Sequence, residues 1–353
     1  MATLSSAACL SYLGRRIDDV DLRVFSVFVL FGLVGACWLL SSFSSLVVLV
    51  IALFGLRLFG QGLMSHTSNT ATARYFDRQR GKALGLVNLG HPAGEAVLPL
   101  GLVAALAYVE WREFWQGSAL FLIAIVLPLM LWLLRGHSAR HRELTAELEE
   151  NGPSDETPSR QWTGGEVLRD PAFYRVLPSA LTPAFVMTGV FFHQDVLKGE
   201  RGWSDELFAS GFVAYAIAQV TLAPLAGAAV DRWSAERLLP FYLIPLVATL
   251  TAVALVPGPA AVFVLMAGAG ISSGLGYPVV GSLWAERYGV LHLGAIRSQV
   301  SVLMVVSTAI SPPLLGALID GGATMRQILF GLAAGALVAS ALTWRRFRAG
   351  EPR

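Results

Sequence analysis

Along the chain, long apolar runs alternate with short polar stretches. Runs of about 20 residues, enough for a helix to cross a hydrocarbon core, fall near 24–42, 45–70, 83–108, 117–135, 172–196, 206–230, 238–256, 260–284, 294–319 and 327–344. The pattern predicts ten full membrane-spanning helices. Residues 1–13 form a further apolar segment that is too short to span. Gly and Pro within the runs do not argue against helix, because both are common in membrane helices. One longer polar stretch, 136–170, carries Glu143, Glu147, Glu149, Glu150, Asp155 and Glu156 with Pro153 and Pro158. It reads as a mobile cytoplasmic linker. It separates an N-terminal transmembrane half, 1–135, from a C-terminal six-helix half, 171–344, with a cytoplasmic tail at 345–353.

Composition agrees with the pattern. Of 353 residues, 55% are hydrophobic and 14% charged, and the mean hydropathy is +0.60. Soluble domains carry roughly 25% charged residues, so too few charges are present to coat a soluble chain of this size. The class is all-α, polytopic membrane protein. A net charge of +2 gives no support for nucleic-acid binding. Cys9 and Cys37 supply neither a disulfide framework nor a metal cluster. Gly-x-Ser-x-Gly, His-Glu-x-x-His and P-loop motifs are absent from the sequence. The chain reads as a non-enzyme that needs no cofactor.

Basic residues set the orientation. One set of alternate loops holds Arg15, Arg16, Arg23, Arg74, Arg78, Arg80, Lys82, Arg232, Arg237, Arg287 and Arg297, then the 345–353 tail; the other holds Arg112, Lys198, Arg201 and Arg326. The first set is assigned to the cytoplasm, with the C-terminus inside. Trp38, Trp111, Trp115 and Trp203 near the outer ends, with Trp233 and Trp344 near the inner ends, form an aromatic belt.

The two halves share a motif. Gly14 is followed by Asp18 and Arg23, and Gly227 by Asp231, Arg232 and Arg237; the glycines stand 213 residues apart, as do the aspartates. Matching inner loops in two parallel halves point to a duplicated transporter architecture. On these residues the chain resembles the major facilitator superfamily, whose loop motif runs Gly-x-Leu-Ala-Asp-Arg-x-Gly-Arg-Lys/Arg. Gly14, Asp18 and Arg23 match in the first copy; Gly227, Asp231 and Arg232 match in the second. The first copy departs from the motif at Asp19 and Asp21. Arg57-Leu58-Phe59-Gly60-Gln61-Gly62 looks like helix 4 of the family, and Gly81, Gly85, Gly90, Gly94 and Pro99 like its helix 5. The segments 74–81, 192–194 and 284–297 look like bacterial members near the monocarboxylate and oxalate/formate carriers.

The resemblance implies twelve helices in two pseudo-symmetric halves. Residues 24–42 then stand as helix 3 and 327–344 as helix 12. Helix 1 would be absent and helix 2 reduced to its inner half. The chain is therefore read as N-terminally truncated, with an intact eleven-helix variant as the other reading. Resemblance also implies a monomeric secondary active transporter in a bacterial inner membrane. It would couple a small organic solute, with a carboxylate as the candidate class, to protons by rocking of its halves. The alternative is a truncated membrane protein or scaffold that does not transport.

An ionisable group at membrane depth marks a functional site by default. Arg57 shares a helical face with Gln61, Met64 and Ser68; resemblance implies that it lines the cavity. Glu95 lies about 18 Å along 83–108 at the rise of an α-helix, with His91 and Asn88 on its stripe. This Asn-His-Glu set is a candidate proton path, and a buried polar cluster joining helices is the alternative. His193 and Gln194 stand near the outer end of helix 7. The pairs Tyr215/Gln219 and Ser273/Tyr277 could face substrate or hydrogen-bond between helices. Resemblance implies that Asp18 meets the inner start of helix 11 near Gly294, and Asp231 that of helix 5 near Lys82, as contacts that close the cytoplasmic side.

Overall fold

The computed structural model describes residues 2–43, 45–76, 78–150 and 161–348. The helices are α1 Ala2–Leu13, α2 Arg16–Asp19, α3 Leu22–Ser42, α4 Leu46–Tyr75, α5 Arg80–Val87 and α6 Gly90–Leu106. Helix α7 begins as Trp111–Phe121 and continues through a π-turn, Leu122–Val126, into Leu127–Leu133. Then follow α8 His137–Glu150, α9 Gly164–Val167, α10 Pro171–Phe192, α11 Gln194–Arg201, α12 Asp205–Trp233 and α13 Ala235–Leu238. The series closes with α14 Ile244–Leu255, α15 Ala260–Tyr288, α16 Leu293–Asp320 and α17 Met325–Arg348.

Among the described residues, eight helices are long and apolar enough to cross a membrane. Large apolar side chains such as Leu46, Val47, Leu120, Phe121, Ile125, Leu129 and Leu133 point outward. Water would not tolerate that exterior; lipid would.

Two expected spans are interrupted. The run 83–108 breaks at Asn88–Leu89, between α5 and α6. Pro92 has no N–H to give to the Asn88 carbonyl, and the Asn88 side chain donates to the Leu84 carbonyl one turn back, 2.8 Å away. The run 238–256 opens with turns through 239–243, and only α14 is regular. Pro240 and Pro245 interrupt the ladder there. Ser340 donates to the Pro240 carbonyl, and Tyr242 to that of Ser179. Parts of the polar stretch 136–170 are described. The stretch contains α8, and Gln161 accepts from the Val290 and Leu291 amides at 2.9 and 3.0 Å. Residues 151–160 lie outside the described residues.

Helix starts are capped as sequence chemistry dictates. Asp21 accepts from the Arg23 amide at 2.7 Å, Asp170 from Ala172 and Ser204 from Leu207. An Asp at this position satisfies one orphan donor of the first turn. Asp21→Ala is expected to cost about 1 kcal/mol, measured as a small fall in thermal midpoint; an unchanged midpoint would remove the cap from the account.

The chain packs as two compact units, each discontinuous in sequence. The first holds Met1–Tyr75, Ala93–Gly164 and Tyr288–Val305. Its core gathers Leu10, Ile17, Leu22, Phe25, Val29, Leu58 and Leu63 around α3. The second holds Phe76–Pro92, Gly165–Arg287 and Val306–Arg353. Here α5 lies on α12, and α17 on α10 and α14. Phe173 and Trp284, both buried, meet with ring centroids 5.7 Å apart. These units do not follow the halves 1–135 and 171–344: residues 76–92 pack with the second unit, and 288–305 with the first.

Candidate functional site

The start of α16 meets the short helix α2 within the first unit. Leu293–Asp320 begins with amides that no residue of its own helix can satisfy. Asp18 satisfies two of them: Gly294 N–H donates to Oδ1 at 2.8 Å and Ala295 N–H to Oδ2 at 2.7 Å. Arg74, in the last turn of α4, donates one guanidinium nitrogen to Asp18 Oδ1, a second to the Ile17 carbonyl at 3.1 Å and Nε to the Val290 carbonyl at 3.2 Å. The Arg74 and Asp18 side chains are only 5% and 6% exposed. Burial pushes the Asp18 carboxyl up, and the Arg74 charge and the two amides pull it back.

Small residues make this approach possible. A Cβ on Gly14 would stand 2.9 Å from that of Ser298 and 3.1 Å from His66 Nε2. His66, buried in α4, lies 3.1 Å from the Gly14 carbonyl. A Cβ on Gly294 would stand 2.7 Å from Asp18 Oδ1.

The second unit repeats the arrangement with the partners exchanged. Asp231, near the end of α12, accepts from Gly81 at 2.6 Å and Lys82 at 3.0 Å, at the start of α5. Gly81 and Gly85 of α5 back onto Gly227 and Ala223 of α12, and a Cβ at either glycine would meet a backbone carbonyl of the other helix. This is the small-residue packing of membrane helices.

The 213-residue offset therefore extends beyond the loop motifs. It relates Asp18 to Asp231, the amide donors Gly294 and Ala295 to Gly81 and Lys82, and Arg74-Tyr75 to Arg287-Tyr288. The arginines differ in their partners. Arg287 bonds Glu236 at 2.8 Å and lies 3.9 Å from Asp170, while Glu286 accepts from Ala235 at 2.8 Å and Glu236 at 3.4 Å. Sequence reasoning named both aspartates and missed Arg74, Glu286 and the Gly81–Gly227 contact. The offset, followed past the loops, pairs Arg74 with Arg287 and Gly81 with Gly294; Glu286 falls opposite Ala73 and has no such signal. Of the other motif residues, Arg23 is exposed in the first turn of α3, and Arg232 is exposed with its guanidinium 5.3 Å from the Trp233 ring centre.

The membrane-depth residues are arranged less simply. Arg57 and Gln61 lie in a π-helical segment of α4, Leu56–Met64, and both are exposed. Such segments are rare and concentrate at functional sites. The wider turn means that the 100° face through Arg57, Gln61 and Met64 is not strictly kept; Ser68 is exposed and Met64 half-buried. The break after α5 interrupts the Asn88–His91–Glu95 stripe. Asn88 is buried and bonded within its own turn, and His91 is exposed on α6. The Glu95 side chain lies outside the described residues.

In the second unit the structure joins the two expected pairs through one member of each. Tyr215 of α12 meets Ser273 of α15, hydroxyl to hydroxyl, at 3.3 Å. A Cβ on Gly274 of α15 would stand 3.0 Å from the Gln219 carbonyl. Gln219 is buried, and its Oε1 has no hydrogen-bond partner among the described residues. Tyr277 is half-buried four residues beyond Ser273. His193 ends α10 with Nδ1 3.0 Å from the Gly189 carbonyl, and Gln194 opens α11. A Cβ on Gly316 of α16 would stand 3.4 Å from His193 Nε2. Among the described residues, no group of three or more His, Cys, Asp or Glu could hold a metal ion.

No curated protein matches the chain at the sequence level. Solved structures do match in fold. The E. coli fucose:proton symporter is 13% identical with a TM-score of 0.68, covering 99% of this chain and 90% of that one. The human organic anion transporter MFSD10 is 14% identical with a TM-score of 0.71, covering 97% and 82%. The proton:xylose symporter XylE, solved with 6-bromo-6-deoxy-D-glucose, is 14% identical with a TM-score of 0.66, covering 98% and 84%. The sequence profile of the Major Facilitator Superfamily matches residues 1–213 and again 187–353. With an all-helical fold, apolar spans and matched loop carboxylates, the chain is an integral membrane transporter rather than an enzyme, and it belongs to the major facilitator superfamily.

Proposed function

We propose that this chain is a proton-coupled secondary transporter of a small organic solute that works by alternating access. The observation that carries the reading is the reciprocal pair of carboxylate contacts, Asp18 on Gly294 and Ala295 and Asp231 on Gly81 and Lys82. A carboxylate at a helix N-terminus gains from the dipole and the free amides. At the partly exposed Asp231 such a contact is worth about 1 kcal/mol, weak enough to open and close during a cycle, while the enclosed Asp18–Arg74 pair holds its contact more firmly. The arginine-rich loops put both contacts on the cytoplasmic side, with the C-terminus also inside. The inner membrane of a bacterium and a monomeric state complete the reading.

Carboxylates are the first solute class to test. Support comes from Arg57, exposed in a π-helical segment, and from the oxalate/formate-like segments of the sequence. Two of the structural relatives are proton symporters and one transports organic anions. The test is a proteoliposome with a trapped pH dye, challenged with monocarboxylates, dicarboxylates and monosaccharides. At least one solute is expected to change the internal pH. If solutes enter and none moves the dye, proton coupling is wrong; if only sugars enter, the carboxylate assignment is wrong. Arg57→Gln is expected to raise the KM for an anionic solute about tenfold, the scale of one lost charge-assisted hydrogen bond. An unchanged KM would take Arg57 out of the binding site.

A further inference from the structure

Four arginines converge where α5 begins and α12 turns into α13. Arg78 from the loop before α5, Arg80 at its first residue, and Arg232 and Arg237 from the corner line one open cavity of about 360 Å³. That volume lies within the roughly 300–1,000 Å³ typical of ligand pockets. Arg78, Arg232 and Arg237 are exposed, and Arg80 is buried.

Two carboxylates also reach the cavity, Asp231 and Glu286. Both are already engaged. Asp231 accepts from the Gly81 and Lys82 amides, and Glu286 from those of Ala235 and Glu236. Arg80 also lies within electrostatic reach of Glu286. Four guanidinium groups against two carboxylates leave the lining with a formal charge of +2.

The corner itself is held in an unusual conformation. Ser234, which lines the cavity, has φ 68° and ψ 152° and is the only described residue other than glycine with positive φ. An L side chain rarely adopts this backbone, and such conformations concentrate at functional sites. Here it lets α12 stop at Trp233 and α13 start at Ala235, which brings Arg232 and Arg237 to the same cavity. The Ser234 hydroxyl accepts from the Arg237 amide at 3.4 Å.

We propose that this cavity binds a phosphate-bearing anion, which bridges Arg78 and Arg80 at the start of α5 to Arg232 and Arg237 at the α12–α13 corner. The planar forks of several arginines suit phosphate oxygens better than point charges do. A bridging anion offsets the repulsion among the exposed Arg78, Arg232 and Arg237. It also ties the start of α5 to the helix whose Asp231 caps it. Binding stands apart from the transport reading; its effect on the cycle rests on that reading. The phosphate could belong to a lipid headgroup or be free in solution. Exposed Trp233, with the Arg232 guanidinium over its ring, marks this corner as a membrane-boundary position.

The experiment uses the full chain in two arms. In the first, native mass spectrometry counts phosphatidylglycerol and phosphatidylcholine retained from mixed nanodiscs. In the second, inorganic pyrophosphate is titrated against thermal midpoint in phosphatidylcholine alone. Each arm compares the wild type with Arg78→Gln/Arg237→Gln and with the remote surface control Arg326→Gln. A lipid site is expected to retain phosphatidylglycerol preferentially and to lose about thirtyfold in the double variant, the scale of two basic contacts to an anionic headgroup; the control keeps it. A free-phosphate site instead gives a pyrophosphate-dependent midpoint in the wild type that the double variant lacks. If neither arm separates the double variant from wild type, the proposal is overturned. If the Gln variant does not fold, Arg78→Lys/Arg237→Lys keeps the charge and loses the fork; equal binding by that variant and wild type would also overturn it.

Discussion

Replacing Arg74 by alanine is expected to cost about 3–5 kcal/mol, the usual loss when one member of a buried ion pair is removed. Arg74 and Asp18 are almost fully enclosed. With the guanidinium gone, Asp18 keeps only the Gly294 and Ala295 amides, while the Ile17 and Val290 carbonyls lose their donor. The Asp18 charge is then better solvated outside the pocket than within it, so the loop should leave α16. Arg74→Met/Asp18→Asn removes both charges and leaves a side-chain oxygen for the amides. It should recover more than half of the loss, because a neutral, well-packed replacement of a buried pair is often tolerated. The double-mutant cycle with Arg74→Met and Asp18→Asn as its single arms, in a mixed-micelle unfolding series, measures this directly. A loss below about 1 kcal/mol for Arg74→Ala, or a double variant worse than both singles, would mean that the pair does not hold this contact.

Why the sequence yielded Asp18 and not Arg74 has a physical answer. The aspartates stand in a recognisable loop spacing, and their distance of 213 residues repeats it. Arg74 looked like one more cation at the inner end of a span, where the positive-inside rule already accounts for cations. Its burial comes from packing against residues 17–18 and 290, which lie far away in sequence. The spans were legible because lipid-facing length is a local property. The breaks at 88–89 and 239–243 were not, because proline is tolerated in membrane helices and its presence alone does not say where the ladder fails. The π-helical segment around Arg57 was invisible for a related reason. One extra residue in a turn leaves the apolar composition unchanged while it shifts each side chain's direction.

The exchanged partners also explain why the packing units cross the duplicated halves. Each motif aspartate caps a helix contributed by the other half, and each cap sits beside glycines where backbones touch. A helix drawn across in this way gains its densest packing with the foreign half: α5 on α12 is the case the glycines make plain.

That packing sets the second large effect. Gly227→Ala is expected to separate α5 from α12, because the new methyl would fall on the Gly81 carbonyl and stand 2.9 Å from the Lys82 Cα. Backbone atoms cannot rotate away as a long side chain can. Overpacking costs about 1–3 kcal/mol, and the shift also strips Asp231 of its two amides, about 1 kcal/mol more. A loss of roughly 2–4 kcal/mol follows, concentrated at one contact. Val230, 3% exposed in the same interface, reports it. In a background without Cys9 and Cys37, Val230→Cys should react with a membrane-impermeant maleimide at least about tenfold faster once Gly227→Ala is added, since 1.4 kcal/mol already corresponds to tenfold. Gly331→Ala in α17 is the control, because a Cβ there meets nothing within 4 Å. It should leave labelling unchanged and add slightly to stability, as alanine usually does in place of a helical glycine. Equal labelling rates with and without Gly227→Ala would show that the α5–α12 contact tolerates a methyl group, and the closing role of Asp231 would lose its structural basis.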